Sequence, residues 1–121
     1  SVISEVTTTG ANRSLTIDMD GSPFQTVDLS NSLYYKFFIS NPPTAGTTVK
    51  TVSVRIKGNT SLINYGVSGE SQQWVDGWKW PELGGTDGPP SIAANMTALL
   101  NVTAFGPNAA DVIAAYAVTQ T

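Results

Sequence analysis

A chain of 121 residues with a net charge of -3, no cysteine and no histidine has room for one core. It lacks the side chains behind disulfides, thiolate nucleophiles, imidazole bases and most transition-metal sites. Charged residues make up 12% against 40% hydrophobic, so neutral Ser, Thr, Asn and Gln must wet the surface. The six basic residues (Arg13, Lys36, Lys50, Arg55, Lys57, Lys79) are scattered, which argues against a nucleic-acid surface, because phosphate contacts need clustered Lys and Arg.

Period-two alternation then runs through most of the chain. Leu15, Ile17 and Met19 alternate with Thr16 and Asp18, which predicts a half-buried strand. Asp20-Gly21-Ser22-Pro23 is a turn cluster, and Phe24 to Leu29 is expected to return from it as the second strand of a hairpin. Leu33 to Ser40 is a richer apolar run, a candidate central strand, broken by Asn41-Pro42-Pro43. From Val49 to Lys57, Val52, Val54 and Ile56 should point inward while Ser53, Arg55 and Lys57 point out, with Gly58-Asn59 closing the strand. A shorter strand is expected from Leu62 to Val67, followed by a loop at residues 68–71.

The segment from Gln73 to Pro81 carries the hairpin pair Asp76-Gly77, and Glu82 to Pro90 reads as a Gly- and Pro-rich loop. Two long strands finish the chain, Thr97 to Phe105 and Asp111 to Thr119. The Ala-rich stretch 109–117 has helical propensity. However, Val112, Ala114, Tyr116 and Val118 alternate with smaller residues, and this favours strand. Seven to nine strands with regular turn signals predict a single all-β domain over residues 1–121, an antiparallel β-sandwich of jelly-roll type.

Little in this pattern suggests chemistry. Asp18 and Asp20 share a strand face, but solvated acids beside a turn are the simpler reading than a hydrolytic pair. Asp18-Met19-Asp20-Gly21 has the opening spacing of a calcium loop, yet Ser22, Pro23 and Phe24 supply no further ligands. The four Asn-x-Ser/Thr sequences, at Asn12, Asn59, Asn95 and Asn101, are what chance gives in so Ser- and Thr-rich a chain. No catalytic residue, metal ligand or cofactor site is expected. No run is long and apolar enough to span a bilayer. The start Ser1-Val2-Ile3-Ser4-Glu5 has no signal-peptide character, and its small first residue is read as the product of initiator methionine removal from a short complete protein.

Trp74, Trp78 and Trp80 crowd into seven residues, with Tyr65 nearby in sequence. Two readings are open for this cluster. Trp78 and Trp80, two apart on one strand face, plug the end of the core or a subunit interface, and this is the favoured reading. Alternatively the four aromatics form a partner or ligand surface that stacks sugar rings.

Trp80-Pro81, Gly84-Gly85, Pro89-Pro90-Ser91-Ile92 and the later Asp111-Val112-Ile113 form a pattern that resembles small β-domains of tailed-bacteriophage structural proteins, especially tail-fibre and fibre-tip domains. Leu15-Thr16-Ile17-Asp18, Thr26-Val27-Asp28-Leu29 and Ile39-Ser40-Asn41-Pro42 fit the same pattern. The run Ala114-Ala115-Tyr116-Ala117 departs from it, and no binding residue is carried over.

The resemblance implies a homotrimer on the virion surface, with capsid or tail proteins as partners. For a short stand-alone chain it favours a non-enzymatic capsid decoration protein that stabilises the head. The alternative is a tail-fibre or fibre-tip domain that binds host surface glycan through the tryptophan region. A third reading, a carbohydrate-binding module or glycosidase fragment, would need Asp18 or Asp20 to act.

Overall fold

The computed structural model describes residues 1–44, 48–67, 77–84, 89 and 91–120. Eight strands occur among them: β1 (Glu5–Thr9), β2 (Asn12–Asp18), β3 (Phe24–Asp28), β4 (Tyr34–Ser40), β5 (Lys50–Asn59), β6 (Leu62–Val67), β7 (Ile92–Ala104) and β8 (Val112–Gln120). They form two four-stranded sheets, ordered β1-β2-β4-β6 and β3-β5-β7-β8. Their apolar faces meet in one core, an all-β sandwich as the alternation predicts.

Strand pairing is mixed, where the antiparallel ladders of a jelly roll were expected. Strands β2 and β4, β4 and β6, and β3 and β5 are parallel, while β1–β2, β5–β7 and β7–β8 are antiparallel. The cause is that the chain changes sheet at every turn from β2 to β6, so neighbours within a sheet are strands two apart.

The hairpin expected at residues 20–23 is the clearest instance. Tight hairpin turns need positive φ, but Gly21 is not among the positive-φ residues. Asp18 instead folds the chain locally, its side chain accepting the Asp20 amide at 2.9 Å and its carbonyl the Gly21 amide at 3.0 Å. The chain then crosses to the other sheet, where Val27 enters the same core as Leu15 and Ile17 from the facing side. Face-to-face burial satisfies both apolar edges of the pattern.

Inner-facing residues follow the expected alternation: Leu15 and Ile17 on β2, Tyr35, Phe37 and Ile39 on β4, Val52, Val54 and Ile56 on β5. Each such side chain contributes about 1.5–3 kcal/mol on burial. Strand β4 lies between β2 and β6, the central position its apolar run suggested. Its other face is buried too: Lys36 and Phe38 are both nearly inaccessible, with the Lys36 ammonium 5.4 Å from the Phe38 ring centroid. The Ala-rich stretch is a strand, entered through a single 3-10 turn at Ala109–Asp111 that Asn108 and Asp111 close as a reciprocal capping box.

Both edge strands of the β3-β5-β7-β8 sheet are covered. On one side the first residues lie along β3: the Ile3 amide donates to the Thr26 carbonyl at 2.8 Å, and the Thr26 amide to the Ser1 carbonyl at 2.9 Å. On the other side residues 77–83 run along β8. The Lys79 amide donates to the Val112 carbonyl at 2.8 Å, the Ala114 amide returns a bond to the Lys79 carbonyl at 2.9 Å, and the Glu82 carboxylate accepts the Tyr116 amide at 2.8 Å. Covered edges of this kind block edge-to-edge aggregation.

Candidate functional site

The tryptophan region is interior. Trp78, Trp80 and Tyr65 are fully buried, while Trp74 lies outside the described residues. Tyr65 stands between the two indoles, 5.0 Å from Trp78 and 4.8 Å from Trp80 between centroids, and it stacks on Phe37 at 5.9 Å. Tyr116 closes the far end, edge-on to Trp80 at 6.1 Å. The cluster fills the gap between β6 and β8, which is the core-plug reading of the sequence. Tyr65, Trp78 and Trp80 therefore offer no ring to a solvent-borne sugar. The Tyr65 hydroxyl donates to the Pro89 carbonyl at 3.0 Å. The Trp80 indole N–H has no partner, the one buried side-chain donor or acceptor among the described residues left so.

Asp18 and Asp20 are tied into a structural knot. Besides the Asp20 amide, the Asp18 carboxylate accepts the Asn41 side-chain amide at 2.8 Å. Lys50 pairs with the Asp20 carboxylate and donates to the Asn41 carbonyl at 3.0 Å. The Asn41 hydrogen bond, then the Asp20 amide and the nearby Lys50 charge, hold the Asp18 carboxyl below its ordinary value. A glycosidase acid needs its pKa raised, so Asp18 is poised the wrong way for that role. An ammonium already sits where a loop cation would bind, and no group of three His, Cys, Asp or Glu among the described residues could hold a metal.

The sign of the Asp18 shift gives a pH dependence. A carboxyl with a depressed folded pKa stabilises the fold above its unfolded value of about 3.9, and that contribution is lost as pH falls through the folded value. Asp18→Asn keeps an acceptor for both amides and removes the charge. Its thermal midpoint is expected to fall less steeply than the parent's between pH 6 and pH 2. Superimposable slopes would show that Asp18 titrates as a free carboxyl.

Sequence reasoning missed one surface feature, the outer face of the β3-β5-β7-β8 sheet. Strand register aligns Ala115, Asn101, Ser53 and Phe24 in one row, and Ala117, Leu99, Arg55 and Thr26 in the next. Leu99 is 43% exposed and Ile113 40%, beside the small Ala115 and Ala117. Cross-strand bonds tie down the polar side chains, Thr51 to Thr103 at 3.0 Å and Ser53 to Asn101 at 2.8 Å. Charge borders the apolar residues at two places: the corner where Arg55, in register with Leu99, lies 3.7 Å from Asp28 with Lys57 in register with it, and the β8 edge, where Lys79 is bridged to Ile113. The available signal was that Leu99 and Ile113 fall on the outward phase of otherwise regular alternation.

No family model, curated protein or solved structure matches the chain.

Proposed function

We propose that the protein is a non-enzymatic structural subunit that docks on a larger assembly through the outer face of its β3-β5-β7-β8 sheet. The assembly its sequence pattern favours is a tailed-bacteriophage particle, on which it acts as a trimeric head-decoration protein. The observation that carries the reading is the exposed apolar pair Leu99 and Ile113, flanked by Ala115 and Ala117 and bordered by Arg55 and Lys79. Apolar residues set among small ones let a second surface approach closely. The hydroxyl–amide ladder on β5 and β7 fixes the polar groups before docking, so little side-chain entropy is lost there.

Leu99→Arg tests it. The side chain is half exposed, so the fold should persist, while a charge in the middle of a dry interface should weaken association at least about tenfold. Sedimentation of the free protein and rebinding to particles stripped of it are the measurements. A variant that assembles and occupies particles as the parent does would remove this face from consideration.

A further inference from the structure

A half-open pocket of about 410 Å³ lies at the end of the sandwich where β4 begins, β5 turns into β6 and β7 begins. Its size falls within the range of small-ligand sites, roughly 300–1,000 Å³. We infer that this pocket binds a neutral saccharide unit, a pyranose ring stacked on Tyr34 and Leu62 with its hydroxyls met by Asn59 and the serines of the rim.

The apolar wall is set by strand register. Tyr34 and Leu62 are direct partners on the parallel strands β4 and β6, so their side chains leave the same face side by side. They are 42% and 50% exposed. An aromatic ring next to a branched aliphatic chain makes a platform for the C–H face of a sugar. The rest of the lining carries polar groups but no charge, beside the apolar Leu33 and Ala93: Asn59 contributes an amide, and Ser32, Thr60, Ser61 and Ser91 contribute hydroxyls.

No side chain lining the pocket is ionisable at neutral pH, which selects the ligand class. A phosphorylated or carboxylated ligand would enter without a counter-charge. A sugar's hydroxyls, each donor and acceptor at once, match the serine and threonine hydroxyls in kind.

The rim is held in place before any ligand arrives. The Ser32 amide donates to the Thr60 carbonyl at 2.8 Å, and Ser32 itself is held at φ 61°, a left-handed conformation that costs a non-glycine residue energy. Asn59 accepts the Thr60 amide at 2.8 Å through its side-chain oxygen, which orients the carboxamide and leaves further hydrogen-bonding capacity on it. The hydroxyl contacts on the rim are long, 3.3 Å from Ser32 to Asn31 and 3.4 Å from Thr60 to Asn59. Such bonds exchange readily for shorter ones to a ligand.

Titration of the 15N-labelled chain with methyl glycosides of glucose, galactose, mannose and N-acetylglucosamine, up to about 50 mM, tests this against single-site affinities near 1 mM. At least one of these glycosides is expected to give saturable shifts centred on amides 32–34, 59–62 and 91–93. Methyl glucuronide, the charged control, should bind at least about tenfold more weakly. Tyr34→Ala and, separately, Leu62→Ser should each weaken binding by about tenfold or more while keeping the parent's thermal midpoint within a few degrees. Absence of saturable shifts with every neutral glycoside would overturn the assignment, as would shifts unchanged in both variants or equal binding of the glucuronide. The same amides shifting with protein concentration alone would also overturn it, since a second copy would then be the occupant.

Discussion

Trp78→Ala is expected to lower the stability of the domain by about 3–5 kcal/mol, out of a total of about 5–15 kcal/mol for a domain of this size. The side chain is fully buried, packed on Tyr65 at 5.0 Å and on Trp80 at 6.2 Å, and Tyr65 in turn stacks on Phe37. Removing it opens a cavity in the stack that joins β4 and β6 to the segment along β8. The edge bonds at Lys79 depend on that segment staying docked, so they should loosen together. Urea unfolding followed by near-ultraviolet circular dichroism measures both effects, with a large drop in midpoint and loss of the aromatic signal expected. A variant that kept the parent's midpoint and spectrum would return Trp78 to the role of a surface platform.

Trp80→Phe sharpens this test. The Trp80 indole N–H is buried without an acceptor, a state that costs about 1–3 kcal/mol. Phenylalanine removes that donor along with the lost ring volume. Trp80→Phe should therefore destabilise by less than Trp78→Phe in the same assay, and the reverse order would mean that the Trp80 donor is satisfied.

The inner faces of the strands could be read from the chain because alternation is a property of a single strand. Val52, Val54 and Ile56 needed no knowledge of their neighbours to be placed inward. Pairing needs such knowledge. Nothing in Phe24–Asp28 states that its partner is β5 rather than β2, because the same side chains would be buried either way and only the turn backbone decides.

Strand β1 was missed for a different reason. Glu5 to Thr8 are all exposed, and the segment is a strand because Gly10, at φ 55°, turns it back onto β2. The sugar pocket was equally hidden. Tyr34 and Leu62 are 28 positions apart in the chain and meet only through parallel register, a pairing the expected antiparallel sandwich would not have made. The tryptophan cluster was visible at once, but the two-residue spacing of Trp78 and Trp80 fitted a core plug and a ligand surface alike. Spacing of aromatics alone does not separate a plug from a platform; what lies on either side of the ring does.

Gly58→Ala is the second substitution expected to be severe, at about 3 kcal/mol, at the pair Gly58-Asn59 that closes β5 as the sequence suggested. Strand β5 continues through both residues to Asn59. The glycine is needed for space: a Cβ there would lie 2.4 Å from the Ala93 carbonyl oxygen and 2.6 Å from both the Ile92 carbonyl oxygen and its Cγ2. Two of those three atoms are backbone, so no rotamer change relieves the clash. They approach because the β5–β7 ladder shifts register here, from Lys57 opposite Thr97 to Asn59 opposite Ile92, leaving residues 93–96 as a bulge against a single glycine.

Asn95 supports the bulge with φ 67°. Asn95→Gly makes the matched control, since glycine adopts that conformation without penalty and should change stability by no more than about 1 kcal/mol. Because Asn59 and Ala93 flank the glycine and line the pocket, Gly58→Ala should also displace the amide resonances of 59–62 and 91–93 and weaken glycoside binding. Asn95→Gly should leave both in place. Denaturation midpoints that matched for Gly58→Ala and the parent would mean that β7 does not press on β5 at this point, and the pocket wall would then lack the fixed geometry that its selectivity requires.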